Sequence, residues 1–196
     1  MDYIASKEKS HGKVFKGLGV LMLLIAFFIL WFVIFEKSGQ AWVASFMFLA
    51  MSAVFWGIGD YQQKKFDVLG ETPLVITSEE CKIGELLTGK IIINKIDFSK
   101  ISQVSLTNFY YDGRQYDNGK IKKLRSVSGA CEALQSNEST WLLFSIEVPI
   151  SGKPTEDLRN RRYYWELSVE YTDKLTLYKR TWPVEILPAE DTVMMA

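Results

Sequence analysis

Two uncharged apolar stretches near the amino terminus constrain the fold of this chain more than any other feature. Residues 17–35 and 41–59 are each nineteen residues long and contain no Asp, Glu, Lys or Arg. A bilayer core about 30 Å thick is crossed by roughly twenty helical residues, because each residue adds about 1.5 Å along a helix. The two stretches therefore predict a transmembrane helical hairpin with its turn at residues 36–40.

The second stretch is richer in small residues than the first. Ala41 and Ser45 are four positions apart, as are Ala53 and Gly57, and this spacing lets another helix approach closely. Two interpretations stay open: these residues pack against the first helix of the same hairpin, or against a helix of a partner. We favour the first interpretation, because such spacings also arise by chance.

Lysines around the two stretches predict how the hairpin is oriented. Six lysines flank its two ends, whereas the turn contains only Lys37. Those six are Lys7, Lys9, Lys13, Lys16, Lys64 and Lys65. Because positively charged flanks stay on the cytoplasmic side, we expect both termini in the cytoplasm. The predicted location is a membrane crossed twice, and specifically a bacterial inner membrane.

The remainder of the chain is mildly acidic. Residues 66–196 carry ten Lys and six Arg against nineteen Asp and Glu. Nucleic-acid binding needs clustered positive charge, so we expect no nucleic-acid partner. The lysine-rich amino terminus is expected to contact anionic lipid headgroups.

Apolar residues after residue 72 alternate with polar ones at a period of two, which predicts β-strands with one buried face. The predicted strands are 73–77, 89–97, 101–111, 120–127, 142–148, 163–171 and 175–186. The predicted inward-facing residues are Leu142, Phe144, Ile146, Trp165, Leu167 and Val169. Residues 79–87 and 156–162 are the only segments of this region expected to form a helical turn or two.

This pattern predicts a membrane α-helical hairpin followed by one all-β domain, an antiparallel β-sandwich. The expected organisation is a basic flank at 1–13, the hairpin at 14–60, a linker at 61–71, the β-sandwich at 72–188 and a tail at 189–196. Pro183 falls inside the last predicted strand. Since proline lacks an N–H, that strand is expected to lie at a sheet edge or to carry a bulge there. Another chain could add a strand to such an edge, but we favour an edge that the proline simply protects.

The last third of the chain resembles a known family of β-sandwiches. LLFSIEVPISGKP (142–154), YYWELSVEY (163–171) and YKRTWPVEIL (178–187) are similar to the carboxy-terminal half of arrestin-like domains, which belong to the broader immunoglobulin-like architecture. Together with the hairpin and LTGKIIIN (87–94), the pattern resembles uncharacterised two-span bacterial membrane proteins. The resemblance implies a scaffold or adaptor without catalytic residues, and it leaves the order of the middle strands open.

Motifs for chemistry are scarce. The single histidine, His11, lies among the amino-terminal lysines, and the sequence contains no metal-binding or phosphate-binding motif. We therefore expect no cofactor, no metal and no catalytic residue. Cys131 follows the basic residues of 120–125, whose charge would lower the pKa of its thiol. An inert cysteine in a loop or small helix is the favoured alternative, because no partner base is evident. Asp112, Asp117, Asn118 and Gly119 lack the spacing of a calcium loop.

Two basic runs are the candidate contact residues for a partner or for lipid headgroups. They are Lys120, Lys122, Lys123 and Arg125 in the first run, and Arg159, Arg161 and Arg162 in the second. For the first run we favour the alternative, a solvated strand face without a binding role. Sequence alone does not decide whether the two runs form one patch.

The function that we expect is binding: a membrane-anchored adaptor whose cytosolic β-sandwich recruits or regulates partners in a membrane complex. The expected partner is another membrane protein or a second copy of the chain. Two alternatives remain. One is a membrane-bound enzyme that uses Cys131, and the other is an accessory subunit of a transporter or channel, which the absence of charge inside both stretches disfavours.

Overall fold

The computed structural model describes residues 3–36, 41–78, 80–96, 98–113, 120–136, 138–173 and 175–189. They belong to two compact units. The helical unit is Lys9–Val68, and the β unit combines Met1–Glu8 with Leu69–Ala196. The amino-terminal segment thus belongs to the unit that follows the helices in the chain.

The helical unit contains two long helices, α1 (Gly12–Glu36) and α2 (Ala41–Asp67). Both have the length and apolar composition needed to cross a membrane. α2 continues to Asp67, so much of the predicted linker is helical. The predicted turn residues 37–40, including Lys37, lie outside the described residues.

Small residues that recur every seven positions line the contact between the helices. They are Gly12, Gly19 and Ala26 on α1, and Ser45, Ser52 and Gly59 on α2. The Ser52 hydroxyl donates to the Gly19 carbonyl at 2.7 Å, and the Ser45 hydroxyl donates to the Ala26 carbonyl at 3.1 Å. Such hydrogen bonds replace the hydrophobic driving force that is missing between helices in lipid. A seven-residue period is typical of a coiled-coil seam.

The four residues predicted for helix packing are therefore divided. Ser45 is buried in this seam, in agreement with packing inside the hairpin. Ala53 and Gly57 are exposed, and a Cβ added to Gly57 would meet no atom within 4 Å. The side chain of Ala41 lies outside the described residues. Packing against α1 is thus wrong for Ala53 and Gly57, because the seam follows a period of seven rather than a spacing of four.

We expect Gly59→Leu to destabilise the hairpin by about 1–3 kcal/mol, the usual cost of overpacking. A Cβ at Gly59 would lie 2.9 Å from the Gly12 carbonyl oxygen, so the helices must separate. Gly57→Leu is the matched control in open space. Denaturant titration of both variants in detergent micelles measures the difference, and equal stabilities would contradict the seam.

The β unit is an antiparallel sheet of eight strands. They are β1 (Leu74–Ile76), β2 (Leu86–Ile93), β3 (Gln103–Asp112), β4 (Lys120–Gln135), β5 (Thr140–Glu147), β6 (Glu156–Leu158), β7 (Arg161–Asp173) and β8 (Thr176–Val184). Their order is β1-β2-β5-β4-β3-β7-β6, and β8 also pairs with β7. β4 pairs with β3 along its first part and with β5 along its last part, so the sheet curls around one core.

The predicted core is confirmed. Leu142, Trp165 and Leu167 are completely buried, and Phe144, Ile146 and Val169 are at most 5% exposed. These residues face inward because alternate side chains of a strand point to one face. Gly152 lies flat against the Trp165 indole, where a Cβ would come within 2.5 Å of a ring carbon.

Three local predictions are wrong. Cys131 lies in β4 rather than in a loop or helix, because β4 is sixteen residues long and continues to Gln135, past the predicted end at 127. Residues 156–162 form β6 and the turn into β7 rather than a helical turn. Among the described residues of 79–87, the chain bends and then enters β2 without a helix. Of the residues considered for a calcium loop, Asp112 ends β3, and Asp117, Asn118 and Gly119 lie outside the described residues.

The two ends of the curled sheet meet, and the amino-terminal segment joins them. Ile4 and Leu74 of β1 exchange two backbone hydrogen bonds of 2.9 Å each. The Lys7 N–H donates to the Thr181 carbonyl of β8 at 2.8 Å, and the Thr181 N–H donates to the Glu8 carboxylate at 2.8 Å. We call residues 4–8 the clip, because they hydrogen-bond to both end strands.

The clip also explains the position of Pro183. The N–H and carbonyl of Thr181 both point away from β7, so Pro183, two residues further on, presents its missing N–H to the same side. β8 pairs with β7 alone among the named strands, which confirms the predicted edge. Part of that edge is nevertheless covered by the clip.

The β unit has two distinct ends. At the first, which we call the proximal end, Lys100 in the connection between β2 and β3 binds Asp173 at the end of β7. The β7–β8 turn lies at the same end. The opposite or distal end carries the β6–β7 turn, the start of β4 and the end of β8. About seven residues of β7, or roughly 23 Å, separate Arg161 from the position opposite Thr181.

Candidate functional site

A groove of about 960 Å³ opens at the distal end of the β unit. It lies where β6 and β8 pair with successive parts of the same edge of β7. Tyr164 and Trp165 of β7 and Pro183 of β8 give it an apolar lining, and Ile4 and Lys7 of the clip line it from the other side. We call this site the distal groove.

The distal groove is basic. Its lining includes Lys7, Arg159, Arg161 and Arg162, against the two carboxylates of Asp157 and Glu185. All three residues of the second predicted basic run therefore line one concave site. Arginine fits such a site because its planar guanidinium binds a carboxylate or phosphate through two parallel hydrogen bonds.

Tyr164 stands between two of these cations. The Lys7 ammonium lies 5.3 Å from the centre of its ring, and the Arg162 guanidinium carbon lies 5.9 Å from it. Lys7 also forms an ion pair with Glu166 on β7. Burial, followed by the charge of Glu166, raises the pKa of the Tyr164 hydroxyl. Tyr164 thus remains a neutral ring that cations can approach.

Arg161 contributes a hydrogen-bond donor that has no acceptor among the described residues. Its Nε atom is buried and has no hydrogen-bond partner among the described residues. An unpaired buried donor costs free energy that an incoming acceptor would recover. Arg162, by contrast, lies 3.8 Å from Asp157, and both side chains of this pair are largely exposed.

The structure brings the two basic runs close together. Asp112 at the end of β3 pairs with Lys120 on one side and with Arg161 on the other. Since neighbouring strands are about 4.8 Å apart, the two basic backbones are separated by roughly 10 Å. The runs therefore form one band across the distal end, although alternation distributes its side chains over both faces of the sheet.

The other residues of the first run lie outside the distal groove. Lys122 lines a shallow depression beside Tyr110, together with Lys120. Lys123 lines a polar surface on the outer face with Glu166 and Lys179. Arg125 is exposed opposite Asn108 of β3.

Cys131 is not an activated thiol. It is half-buried in β4, and its sulfur approaches the Ile101 carbonyl oxygen at 3.5 Å. Burial raises the pKa of Cys131, the opposite of the lowering that its basic neighbours in sequence indicated. Along an extended strand, Arg125 is six residues or roughly 20 Å away. Burial and the charge of Glu85 raise the pKa of Cys81 to about 11.

We expect both thiols to react slowly at neutral pH, because only the thiolate is nucleophilic. A raised pKa means that the reactive fraction grows only as pH rises, with a midpoint near pH 11 for Cys81. Iodoacetamide labelling from pH 7 to 11, followed by peptide mass spectrometry, measures both. Glu132→Cys provides an exposed reference next to Cys131. Faster labelling of Cys131 than of this reference at pH 7 would restore the nucleophile hypothesis.

Within the described part of the chain, no group of three or more His, Cys, Asp or Glu side chains is arranged to hold a metal ion. The distal groove presents the cations Lys7, Arg159, Arg161 and Arg162 and the aromatic rings of Tyr164 and Trp165. Sequence reasoning missed Lys7 and Tyr164. Lys7 was assigned to lipid contacts, and nothing local connects it with Glu166, which is 159 positions away.

These observations define a class: a chain with two long apolar helices and a curled antiparallel β unit that carries a basic groove. No protein-family model matches the sequence, and no curated protein matches it. Among solved structures, the chain is similar to Spo0M, a sporulation control protein from Bacillus subtilis, with a TM-score of 0.39 and 11% identity. The match covers 59% of this chain and 48% of that one, so the chain spans about half the length of that structure. A likeness this small carries no function from one protein to the other.

Proposed function

We propose that the protein is a membrane-anchored binding protein. In this proposal α1 and α2 cross a bacterial inner membrane, and the β unit, an arrestin-like β-sandwich, lies in the cytoplasm and recruits a partner. The observation that carries it is the distal groove, a concave basic and aromatic site in the β unit. The protein is a binder rather than an enzyme, in keeping with its two unactivated thiols.

Exposed apolar surface supports the membrane anchor. The windows Gly12–Phe32 and Trp42–Asp67 are long and apolar enough to span, and only 11% and 17% of them is buried. Large apolar side chains such as Phe28, Trp31 and Phe46 are more than half exposed. In water this much contiguous apolar surface is unfavourable, whereas lipid tails accept it.

The clip supports a shared side for both termini. Residues 4–8 precede the two helices in the chain and hydrogen-bond to strands that follow them. Such hydrogen bonds cannot form across a bilayer about 30 Å thick. The number of crossings between residues 8 and 69 must then be even, and two helices satisfy this. The lysines of the flanks select the cytoplasmic side.

Cysteine labelling in intact cells tests the topology. In a Cys131→Ser background, we expect Ser38→Cys to react with a membrane-impermeant thiol reagent and Glu138→Cys to be protected until the cells are permeabilised. Tyr3→Cys should behave like Glu138→Cys, because the clip ties residue 3 to the β unit. Opposite accessibilities at positions 3 and 138 would contradict the anchor, and labelling of both in intact cells would contradict only the orientation.

The occupant that best fits the distal groove is an extended acidic segment of a protein partner. Arg159, Arg161 and Arg162 supply positive charge, and Tyr164, Trp165 and Pro183 supply apolar contact for the residues between the carboxylates. Membrane attachment raises the effective concentration of the groove for any partner in that layer.

Charge reversal tests the groove. We expect Arg159→Glu with Arg162→Glu to weaken binding of a fluorescent peptide of alternating Glu and Leu by about 2- to 30-fold, because exposed charges contribute about 0.2–1 kcal/mol each. Both residues are exposed, so the fold should survive. The control Lys95→Glu with Lys100→Glu makes the same charge change at the proximal end.

Fluorescence anisotropy on the full chain in neutral detergent, at low and high salt, measures this binding. Salt should weaken the wild-type complex. Equal losses for the two double variants would contradict a localised site. Binding of anionic vesicles or RNA at the groove, without binding of the acidic peptide, would replace the protein partner with that other class.

A further inference from the structure

One long strand edge of the β unit has no partner strand among the described residues. β4 pairs with β3 through residues 120–130, but on its other side it pairs with β5 only from Cys131 onward. Residues 120–128 therefore present a free edge that is roughly 30 Å long. Every side chain from 120 to 126 is exposed. This edge is open to another chain.

The other edges of the curled sheet are short or covered. The clip hydrogen-bonds to Leu74 of β1 and to Thr181 of β8. β6, which pairs with β7 alone, has only three residues. Within the described part of the chain, β4 thus offers the longest row of unpaired backbone groups. Such a row is a template to which an extended segment can add as a further strand.

The backbone groups of Ser126 and Ser128 face this free side. The Cys131 N–H donates to the Ser102 carbonyl at 3.1 Å, so residue 131 is directed toward the β3 side. Because successive residues of a strand direct their N–H and carbonyl groups to opposite sides, residues 128 and 126 are directed away from β3. The hydroxyls of both serines also lie 2.9 Å from hydroxyls of their β3 neighbours. Side chains come this close in pairs without backbone hydrogen bonds.

Charge determines which strand this edge accepts. Lys120, Lys122 and Arg125 pair with alternate residues of β3 and therefore share one face, and Lys123 lies on the other. A second copy that paired through the same edge would place these four cations beside four identical ones. Like charges opposite each other destabilise a strand pair, whereas opposite charges stabilise it. The edge thus disfavours its own copy and favours an acidic strand.

We propose that residues 120–128 of β4 form a β-augmentation site for an extended acidic segment of a partner protein. The backbone of the segment pairs with the groups of Ser126 and Ser128, and its alternate carboxylates face Lys120, Lys122 and Arg125. The site is separate from the distal groove. The proposal depends neither on the membrane anchor nor on what occupies that groove.

Removal of one backbone N–H tests the pairing. Ser126→Pro removes the outward N–H, and Ser126→Ala is the matched control, because both variants lose the hydroxyl but only proline loses the donor. The probe is a fluorescent peptide of alternating Glu and Val, and anisotropy is measured on the full chain in neutral detergent. We expect proline to weaken binding by about 2- to 12-fold relative to alanine, the contribution of one backbone hydrogen bond. A peptide of alternating Lys and Val should not bind.

Hydrogen exchange on the unsubstituted chain tests the site even if the proline variant does not fold. Saturating acidic peptide should slow exchange of the amides within residues 120–128. Unchanged exchange there, or equal affinities of folded Ser126→Pro and Ser126→Ala, overturns the proposal. Slow exchange without peptide that increases with protein concentration would assign the edge to a second copy and overturns it too.

The groove variant Arg159→Glu with Arg162→Glu separates this site from the distal groove. Loss of binding in that variant, with Ser126→Pro equal to Ser126→Ala, overturns the β4 site and supports the groove. Loss through Ser126→Pro with an unaffected groove variant supports the β4 site alone. Absence of any binding by the peptide of alternating Glu and Val overturns the β4 site and leaves the groove to its own test.

Discussion

The backbone hydrogen bonds of the clip are the interaction on which the rest of the β unit depends. A curled sheet leaves two end strands with unpaired N–H and carbonyl groups, which is costly when they are buried and invites aggregation when they are exposed. Residues 4–8 pair with Leu74 on one end strand and with Thr181 on the other. The Trp182 indole N–H donates to the Thr72 carbonyl at 2.8 Å, so the same seam is also closed by a side chain. Closure keeps the ends of the core covered.

The clip also contributes to the distal groove, and the chain continues from it into the helical unit. Lys7 belongs to the clip, yet it lines the distal groove and pairs with Glu166 of β7. Glu8 accepts a hydrogen bond from the Thr181 N–H, four residues before α1 begins at Gly12. One short segment thus covers the β8 edge, completes the groove and leads into the first helix. Arg180, which is 5% exposed, donates to the carbonyl of Gly70, near the point where the chain returns to the β unit; burial lowers the pKa of this guanidinium.

Much of the fold could be predicted from local patterns, and the failures have physical causes. The strands around Leu142 and Trp165 were predicted because one buried face forces alternation. The predicted strand 120–127 is shorter than β4, because most residues of β4 are exposed on both faces and therefore do not alternate between apolar and polar. The contact between the helices was predicted at residues four positions apart, whereas the residues that make it are seven apart. Gly19 contacts Ser52, and Ala26, seven residues further on, contacts Ser45. For the candidate site, the run Arg159 to Arg162 was identified, but its partners Lys7 and Tyr164 were not.

The sequence by itself determined that the chain has two long apolar helices followed by a strand-rich region, because length, hydropathy and period-two alternation are local properties. Only the tertiary structure decided which basic residues share a groove and which strand ends meet. The register of the strands brings the basic residues together, because β4 and β7 both pair with β3 and place Lys120 and Arg161 on either side of Asp112. The clip could not be read from its residues, because its contacts are made by the backbone, whose hydrogen-bonding groups are the same in almost every sequence.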